Sequence, residues 1–273
     1  GDNVYHDIPA LSGVMMLFDT EYGMPKAILN SRYLTAMRTG AAGAIGAKYL
    51  ARKGSRALLI IGTGGQAIFQ IASTLSAIPS IDKVLLYDPL NYKKVLDFKE
   101  SIPLILGETI NDHHDQENIL WKQRFESVDY VAVNNLEMAL TKADVVITAT
   151  PSRRPIISKE WVKPGMHFSC VGADTIGKQE IDEHIFKGAK VFVDDIAQAS
   201  SVGESQTAIQ EDIINKKCLN EIGQLLNKES KGRINDSDIT IFDTTGIAIQ
   251  DLEVGRLVIQ RAEEKKIGKI VEI

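Results

Sequence analysis

The sequence predicts an α/β fold built on a doubly wound parallel sheet. Two observations carry this. From residue 57 onward, short β-branched or aliphatic runs alternate with helix-length segments. One of those runs ends in a glycine-rich turn that opens a helix. The composition agrees: 273 residues, 44% hydrophobic and 25% charged, describe a soluble globular chain able to bury a full core as one or two domains. With 31 Lys plus Arg against 36 Asp plus Glu, the net charge of −5 gives no electrostatic footprint for nucleic acid or an anionic membrane. No run approaches the roughly 20 apolar residues of a membrane span, and Gly1 to Pro9 is polar rather than signal-like. Two cysteines, Cys170 and Cys218, are too few for a disulfide scaffold, which points to a reducing, cytoplasmic compartment.

Taken in order, the runs 13–19 and 25–29 flank the turn cluster Asp19 to Gly23 and read as a hairpin. Ser31 then caps a helix reaching about Lys53 and closed by Gly54. Its stretch Thr39 to Ala47 is almost wholly Gly, Ala and Thr. Helical glycine costs about 1 kcal/mol relative to alanine, so close backbone approach to a neighbour or ligand is the expected compensation. Six strands follow, at 57–62, 83–88, 128–133, 144–149, 167–172 and 190–194. Beyond them, 211–227 reads as helical, 239–243 as a strand, 247–266 as a long helix and 269–273 as a last strand, and between the fifth and sixth strands 179–188 is the segment a helix cap at Asp174 would precede. The polar stretch 100–127 reads as a solvated insertion. Its Asp112, His113, His114 and Asp115 lack the spacing of a zinc site, so no metal is expected.

Gly62-Thr63-Gly64-Gly65-Gln66-Ala67 lies between a strand and a helix, the context a dinucleotide fingerprint requires. Gly62 permits a tight turn, Gly64 lets the backbone approach a pyrophosphate, and Ala67 allows close helix–strand packing. The helix N-terminus adds free N–H groups and a positive dipole end. Asp88 closes the second strand 24 residues after Gly64, about where a carboxylate meets the adenosine ribose hydroxyls. The expected cofactor is therefore NAD rather than NADP, although Lys93 and Lys94 are near in sequence.

Several separated motifs then resemble the ornithine cyclodeaminase and mu-crystallin family: Leu34 to Ala42, the Gly62 to Ala67 loop, Thr148 to Ser152, Val171 to Asp174 with Gly177 to Glu180, Gly203-Glu204, and Ile239 to Asp243. Their wording is most similar to the archaeal-type alanine dehydrogenases. The resemblance implies a homodimer with a Rossmann domain over 35–243. It also implies a smaller α/β dimerisation and substrate domain formed from the chain ends, 1–34 and 244–273. It implies NAD-dependent oxidoreduction at the Cα–N bond of a small L-amino or imino acid, with alanine and pyruvate as the leading pair. Ornithine cyclodeamination to proline and ammonia, and dinucleotide binding without turnover, are the alternatives.

By motif, Arg38 would hold the substrate carboxylate through its bidentate fork, the other reading being a surface ion pair. Asp174 would be catalytic, positioning the substrate nitrogen or exchanging its proton; a helix N-cap is the other reading. Thr39, Gly62, Gly64, Gly65, Gln66, Ala67, Asp88, Thr148, Thr150, Ser152, Val171 and Gly172 would surround the cofactor. Glu204 is a family position that could equally cap a helix, and Asp251 could be a first-turn carboxylate. Family members carry roughly a further 70 to 80 residues, near the size of a subdomain, which supply an arginine and a lysine to the substrate site. Gly1 to Pro9 offers no such cation. Either the chain is a piece of a longer protein, or the usual substrate grip is absent.

Overall fold

In the computed structural model, which describes residues 12–110 and 116–271, the first elements are β1 (Val14–Phe18), β2 (Pro25–Asn30), α1 (Ser31–Leu50), β3 (Ala57–Ile61), α2 (Ala67–Ala77) and β4 (Lys83–Tyr87). Next come α3 (Tyr92–Ile110), α4 (Gln116–Glu126), β5 (Asp129–Ala132), α5 (Leu136–Leu140), β6 (Val145–Thr148), β7 (Arg153–Ile157), β8 (His167–Cys170) and β9 (Gln179–Ile181). The last are β10 (Lys190–Val193), α6 (Ile196–Val202), α7 (Ser205–Gln210), β11 (Leu219–Glu221), α8 (Ile222–Leu226), β12 (Thr240–Asp243) and α9 (Ala248–Lys265). Contacts divide the chain into two units: the chain ends, up to Arg38 and from Ile247, and the body Thr39–Gly246.

Within the chain-end unit, β1 and β2 form the expected antiparallel hairpin. Asp19 closes its turn by accepting the Glu21 and Tyr22 N–H groups on Oδ1 and that of Met24 on Oδ2. Helix α9 packs on β1 at Gly255, where a Cβ would come within 2.8 Å of Met15 Sδ.

The body is an eight-stranded sheet in the order β11-β10-β12-β8-β6-β3-β4-β5, with every pairing parallel. The chain moves outward from β3 to β4 and β5, then returns to β6 on the other side of β3. This reversal is the topological switch point of a doubly wound sheet. Strand β3 shows why both faces are covered. Leu58 and Ile60 pack with α2, α3 and α4 through Ile71, Val95, Ile102 and Phe125, whereas Leu59 and Ile61 pack with α5 and α6 through Leu136, Leu140 and Ala199. Full burial of each such side chain contributes about 1.5–3 kcal/mol.

The small-residue stretch of α1 serves neighbours. A Cβ on Gly40 would meet Phe69 O of α2 at 2.6 Å, and one on Gly46 would meet the Phe242 ring of β12 at 2.3 Å. Phe242 packs with Ala42, Leu50 and Phe192 in a core of its own.

Several expectations are corrected. The sheet has eight strands rather than six, because β12 enters between β10 and β8 while β11 pairs with β10 at the edge. The segment 211–227 is not one helix. Asp212, at φ 55°, sits in the left-handed region just past α7, and Leu219–Glu221 finds an open sheet edge. Residues 179–188 are not helical at their start, since β9 pairs with β7 and is buried. The presumed insertion 100–127 is the end of α3 followed by α4, with Ile102, Leu106 and Phe125 in the core. Asp112, His113, His114 and Asp115 lie outside the described residues. Helix α1 ends at Leu50 rather than Lys53, and 269–271 forms no strand. No helix among the described residues is long and apolar enough to cross a membrane.

Candidate functional site

Strand register brings the candidate loops of the body to one edge. Ile61 faces Thr148, Thr148 faces Cys170, Cys170 faces Asp243 and Asp243 faces Val193. The chain after each strand therefore emerges at the same carboxyl edge, where doubly wound sheets bind their ligands.

At the switch point, Gly62 adopts φ 101° and its N–H donates to Tyr87 O at 2.8 Å. A Cβ there would sit 2.6 Å from Ala149 O, so both conformation and space demand glycine. Around Gly64 and Gly65, by contrast, an added Cβ would meet nothing within 4 Å. Helix α2 then starts at Gln66 without a side-chain cap, with Ala67 fully buried against the sheet, and Gln66 Oε1 is buried without a partner. An uncapped helix start beside open backbone is suited to an anion.

Asp88 is buried and organises this turn. Its Oδ2 accepts Thr63 N–H at 3.1 Å, Thr63 Oγ1 at 2.8 Å and Lys94 Nζ at 3.3 Å, while Oδ1 accepts, among the described residues, Leu90 N–H alone, at 3.1 Å. Burial works to raise its carboxyl, but the donors from Thr63 and Leu90 and the Lys94 charge outweigh it and hold the group low and ionised. Oδ1 retains capacity for a further donor such as a ribose hydroxyl.

The hydroxyls assigned to the cofactor at β6 turn elsewhere. Thr148 Oγ1 donates to Glu180 Oε2 at 2.7 Å, and Thr150 donates through N–H and Oγ1 to Glu180 Oε1 at 2.7 and 2.8 Å. Gly172 N–H also reaches Glu180 Oε2, at 3.0 Å. Ser152 Oγ donates to Arg154 O, and Val171 N–H to Thr148 O. Thr39 O accepts Gln70 Nε2 at 2.9 Å. Glu180 thus joins the loops after β6 and β8, while the Thr39 carbonyl joins α1 to α2.

Sequence reasoning missed Glu180 as a centre, left Glu204 outside the catalytic set, and placed Asp243 only within the segment 240–246 that would enclose the cofactor. All three carboxylates are buried. Glu204 does not cap a helix with its side chain; its Oε1 accepts the Glu180 and Ile181 N–H groups, both at 2.7 Å, and its Oε2 has no partner. Asp243 accepts Glu204 N–H on Oδ1, and Ser205 N–H and Oγ on Oδ2. Burial raises all three carboxyls: Asp243 to about 6, and Glu204 further because the Glu180 and Asp243 charges add to the desolvation. The available signal was the adjacency of Gly172 and Gly203. A Cβ on Gly172 would lie 2.5 Å from Glu180 Oε2, and one on Gly203 would lie 2.7 Å from Asp243 Oδ2.

Asp174 follows β8 on a loop and caps no helix. Its Oδ1 accepts Lys178 Nζ at 2.5 Å and Thr175 Oγ1 at 3.0 Å, leaving Oδ2 without a hydrogen-bond partner among the described residues. Partial burial works to raise its carboxyl, and the bonds from Lys178 and Thr175 more than offset it. In the chain-end unit, Arg38 Nε pairs with Asp251 Oδ1 at 3.2 Å and Nη1 donates to Gln250 Oε1 at 3.2 Å. Asp251 is a first-turn carboxylate of α9, as read, and also this ion-pair partner. Nη2 of Arg38 has no partner among the described residues.

Comparison with known proteins accounts for this arrangement. The profile of the ornithine cyclodeaminase/mu-crystallin family matches residues 1–102 and 107–266. Alanine dehydrogenase of Archaeoglobus fulgidus is 36% identical over 268 residues, 97% of this chain and 75% of that protein. A solved archaeal alanine dehydrogenase dimer with bound NAD superposes with a TM-score of 0.85 at 36% identity, covering 100% of this chain and 78% of the other. The Thermococcus litoralis Δ1-pyrroline-2-carboxylate reductase, solved with NADH and L-proline, gives 0.86 at 29% identity, covering 99% and 77%. The chain belongs to the ornithine cyclodeaminase/mu-crystallin family.

Proposed function

We propose that this protein is an NAD-dependent oxidoreductase acting at the Cα–N bond of a small L-amino acid, by oxidative deamination or by the reverse imine reduction, with alanine and pyruvate as the leading pair. The observation that carries it is the switch-point turn. A glycine at φ 101° opens an uncapped helix beside open backbone, and a buried Asp88 stands at the end of the neighbouring strand. Whole-chain similarity to an NAD-bound alanine dehydrogenase and an NADH-bound imine reductase supports the same reading.

Gly64, Gly65 and Gln66 would hold the pyrophosphate by backbone N–H groups, Ala67, whose N–H donates to Gly64 O, would let the helix pack close to the strand, and Asp88 Oδ1 would accept a ribose hydroxyl. Asp88 would repel a 2′-phosphate, which favours NAD over NADP. NAD, when bound, supplies the hydride acceptor. Arg38 would bind the substrate carboxylate with the guanidinium edge that Asp251 and Gln250 leave open, and Asp174 would face the substrate nitrogen through Oδ2. Thr39 would approach the cofactor phosphates, and Thr148, Thr150, Ser152, Val171 and Gly172 would line the cofactor. A homodimer is supported by the apolar residues Val14, Met16, Phe18, Ile28, Leu252 and Leu257 exposed on the chain-end unit. A cytoplasmic location is supported by two cysteines that are both free.

The test is absorbance at the NADH band with L-alanine plus NAD, then pyruvate with ammonium plus NADH, beside L-ornithine assayed for proline. Turnover in the first two establishes the reading. Proline formed without net NADH replaces it with cyclodeamination. NAD binding with no turnover of any amino or imino acid replaces it with a binding role.

A further inference from the structure

The loop that leaves β8 carries a second charged side chain that no motif assigned to the chemistry. Lys178 is four residues after Asp174, and its side chain is only 20% exposed. Its ammonium is held at two points, by Asp174 Oδ1 at 2.5 Å and by Gly172 O at 3.3 Å. The loop is closed from outside as well. Gly177, at φ 78°, donates its N–H to Gln206 Oε1 at 3.0 Å, and Gln206 Nε2 donates to Lys178 O and Gly203 O. The backbone of Lys178 is thus anchored on α7 while its side chain reaches back across the loop.

We propose that Lys178 is a positioning residue for Asp174: it pins Oδ1, so that Oδ2 is presented to the substrate nitrogen as a fixed negative charge. The inference rests on the reading of Asp174 given above. Two facts favour positioning over a stray surface pair. Both donors to Asp174, Lys178 and Thr175, fall on the same oxygen, which leaves the other in a defined direction. The second Lys178 contact, to Gly172 O, ties the lysine to the strand end, while the Asp174 side chain, 56% exposed, stays open to a ligand. An isolated exposed i,i+4 pair has neither feature. The charged groups around the loop are Lys178 within it, Arg153 of β7, whose Nη1 donates to Ile176 O, and Glu180 of β9, which accepts Gly172 N–H. Of these, only Lys178 touches Asp174.

The experiment compares Lys178→Met, Lys178→Arg and Asp174→Asn in the full chain. The readouts are kcat and KM for the amino acid across pH, the NAD dissociation constant, and the unfolding midpoint. Lys178→Met is expected to raise KM for the amino acid about tenfold. It should also move the acidic limb of kcat/KM upward by roughly one pH unit, because Asp174 loses the cation that favours its charged form. NAD affinity should be unchanged, and Lys178→Arg should restore most of both effects. An unmoved acidic limb in Lys178→Met overturns the proposal, as does equal damage in Lys178→Arg or loss of NAD binding in step with the unfolding midpoint. If Asp174→Asn itself leaves kinetics unchanged, it is the placement of Asp174 that fails. If Asp174→Asn is impaired while Lys178→Met is normal, only the role of Lys178 fails.

Discussion

The three buried carboxylates predict unequal responses to one chemical change, the replacement of a carboxylate by its amide. Burial and the neighbouring carboxylates raise the Glu204 carboxyl and so favour its protonated form, and because Oε1 accepts two N–H groups, Oε2 is the oxygen left to hold a proton. A glutamine presents the same acceptor and places its NH2 where the O–H stood. Glu204→Gln should therefore change unfolding free energy by no more than about 1 kcal/mol. Glu180 differs because both oxygens accept. Either orientation of a glutamine sets an NH2 against a backbone N–H, that of Gly172 or that of Thr150. An unsatisfied buried donor costs about 1–3 kcal/mol, and the misplaced amide adds its own, so Glu180→Gln should lose about 2–4 kcal/mol. Urea unfolding of the two variants and the parent measures the difference. A carboxyl raised in the folded state stabilises fully at low pH, and that contribution is lost as pH rises through the folded value. Glu204→Gln should accordingly gain on the parent as pH increases. Equal losses in both variants, or a Glu204→Gln variant that falls further behind the parent as pH rises, would refute the assignment of the proton.

Other parts of the site give separate tests. Arg38→Ala removes a charge-assisted bond of about 1.5–3 kcal/mol. It should raise KM for the amino acid while leaving the NAD dissociation constant intact; unchanged KM removes Arg38 from the substrate site. Asp88→Ala deletes the proposed ribose acceptor and frees Lys94, now paired to it at 3.3 Å, to meet a 2′-phosphate. The ratio of NADP to NAD affinity should rise, and an unchanged ratio sinks that role for Asp88. His167 is buried between Thr240 Oγ1 and Ser169 Oγ, both at 2.9 Å, and its imidazole is pushed down to about 3 by burial and the Arg233 charge. Its ring nitrogen NMR shifts should not move between pH 7 and pH 5 (a range of about two units chosen above the depressed value), and a titration midpoint near 6 would contradict a neutral buried imidazole. Gly62→Ala forces a Cβ into Ala149 O at a positive φ and should weaken both folding and NAD binding; a variant that binds NAD normally would show the turn is not needed in this form.

What was readable in the sequence follows from which forces are local. Strands such as 57–61 carry their own signal, a dense apolar run between turn residues, and the glycine-rich turn declares itself because Gly62 must take a positive φ. Short edge elements do not. Leu219–Glu221 is three residues long and is a strand only because β10 offers it an open edge, and Gln179–Ile181 is one only because β7 lies beside it. Polarity misled at 100–127, where the surface of two helices outweighs in composition the few residues, Ile102, Leu106 and Phe125, that face the core. The partners of the hydroxyls were hidden for a related reason. Thr148 and Thr150 stand at the end of a strand as cofactor ligands commonly do, and only the fold reveals an acceptor 32 residues from Thr148 and 30 from Thr150.

The acid cluster also explains how the carboxyl edge of the sheet is tied together by hydrogen bonds. Glu180, Glu204 and Asp243 together accept six backbone N–H groups, those of Thr150, Gly172, Glu180, Ile181, Glu204 and Ser205. They come from the turns after β6 and β8 (Thr150 and Gly172), from β9 (Glu180 and Ile181) and from the start of α7 (Glu204 and Ser205). A hydrophobic replacement would avoid the desolvation of a carboxylate but would strand those donors, each at about 1–3 kcal/mol. A hydroxyl or amide has too few acceptor sites to gather donors from two directions. A carboxylate alone among the side chains offers two oxygens and no obligatory donor, which suits it to tying loops together from beneath. The raised carboxyl values and the close approach at Gly172 and Gly203 are then consequences of that one requirement, and the spacing of the loops above it is what the cofactor would meet.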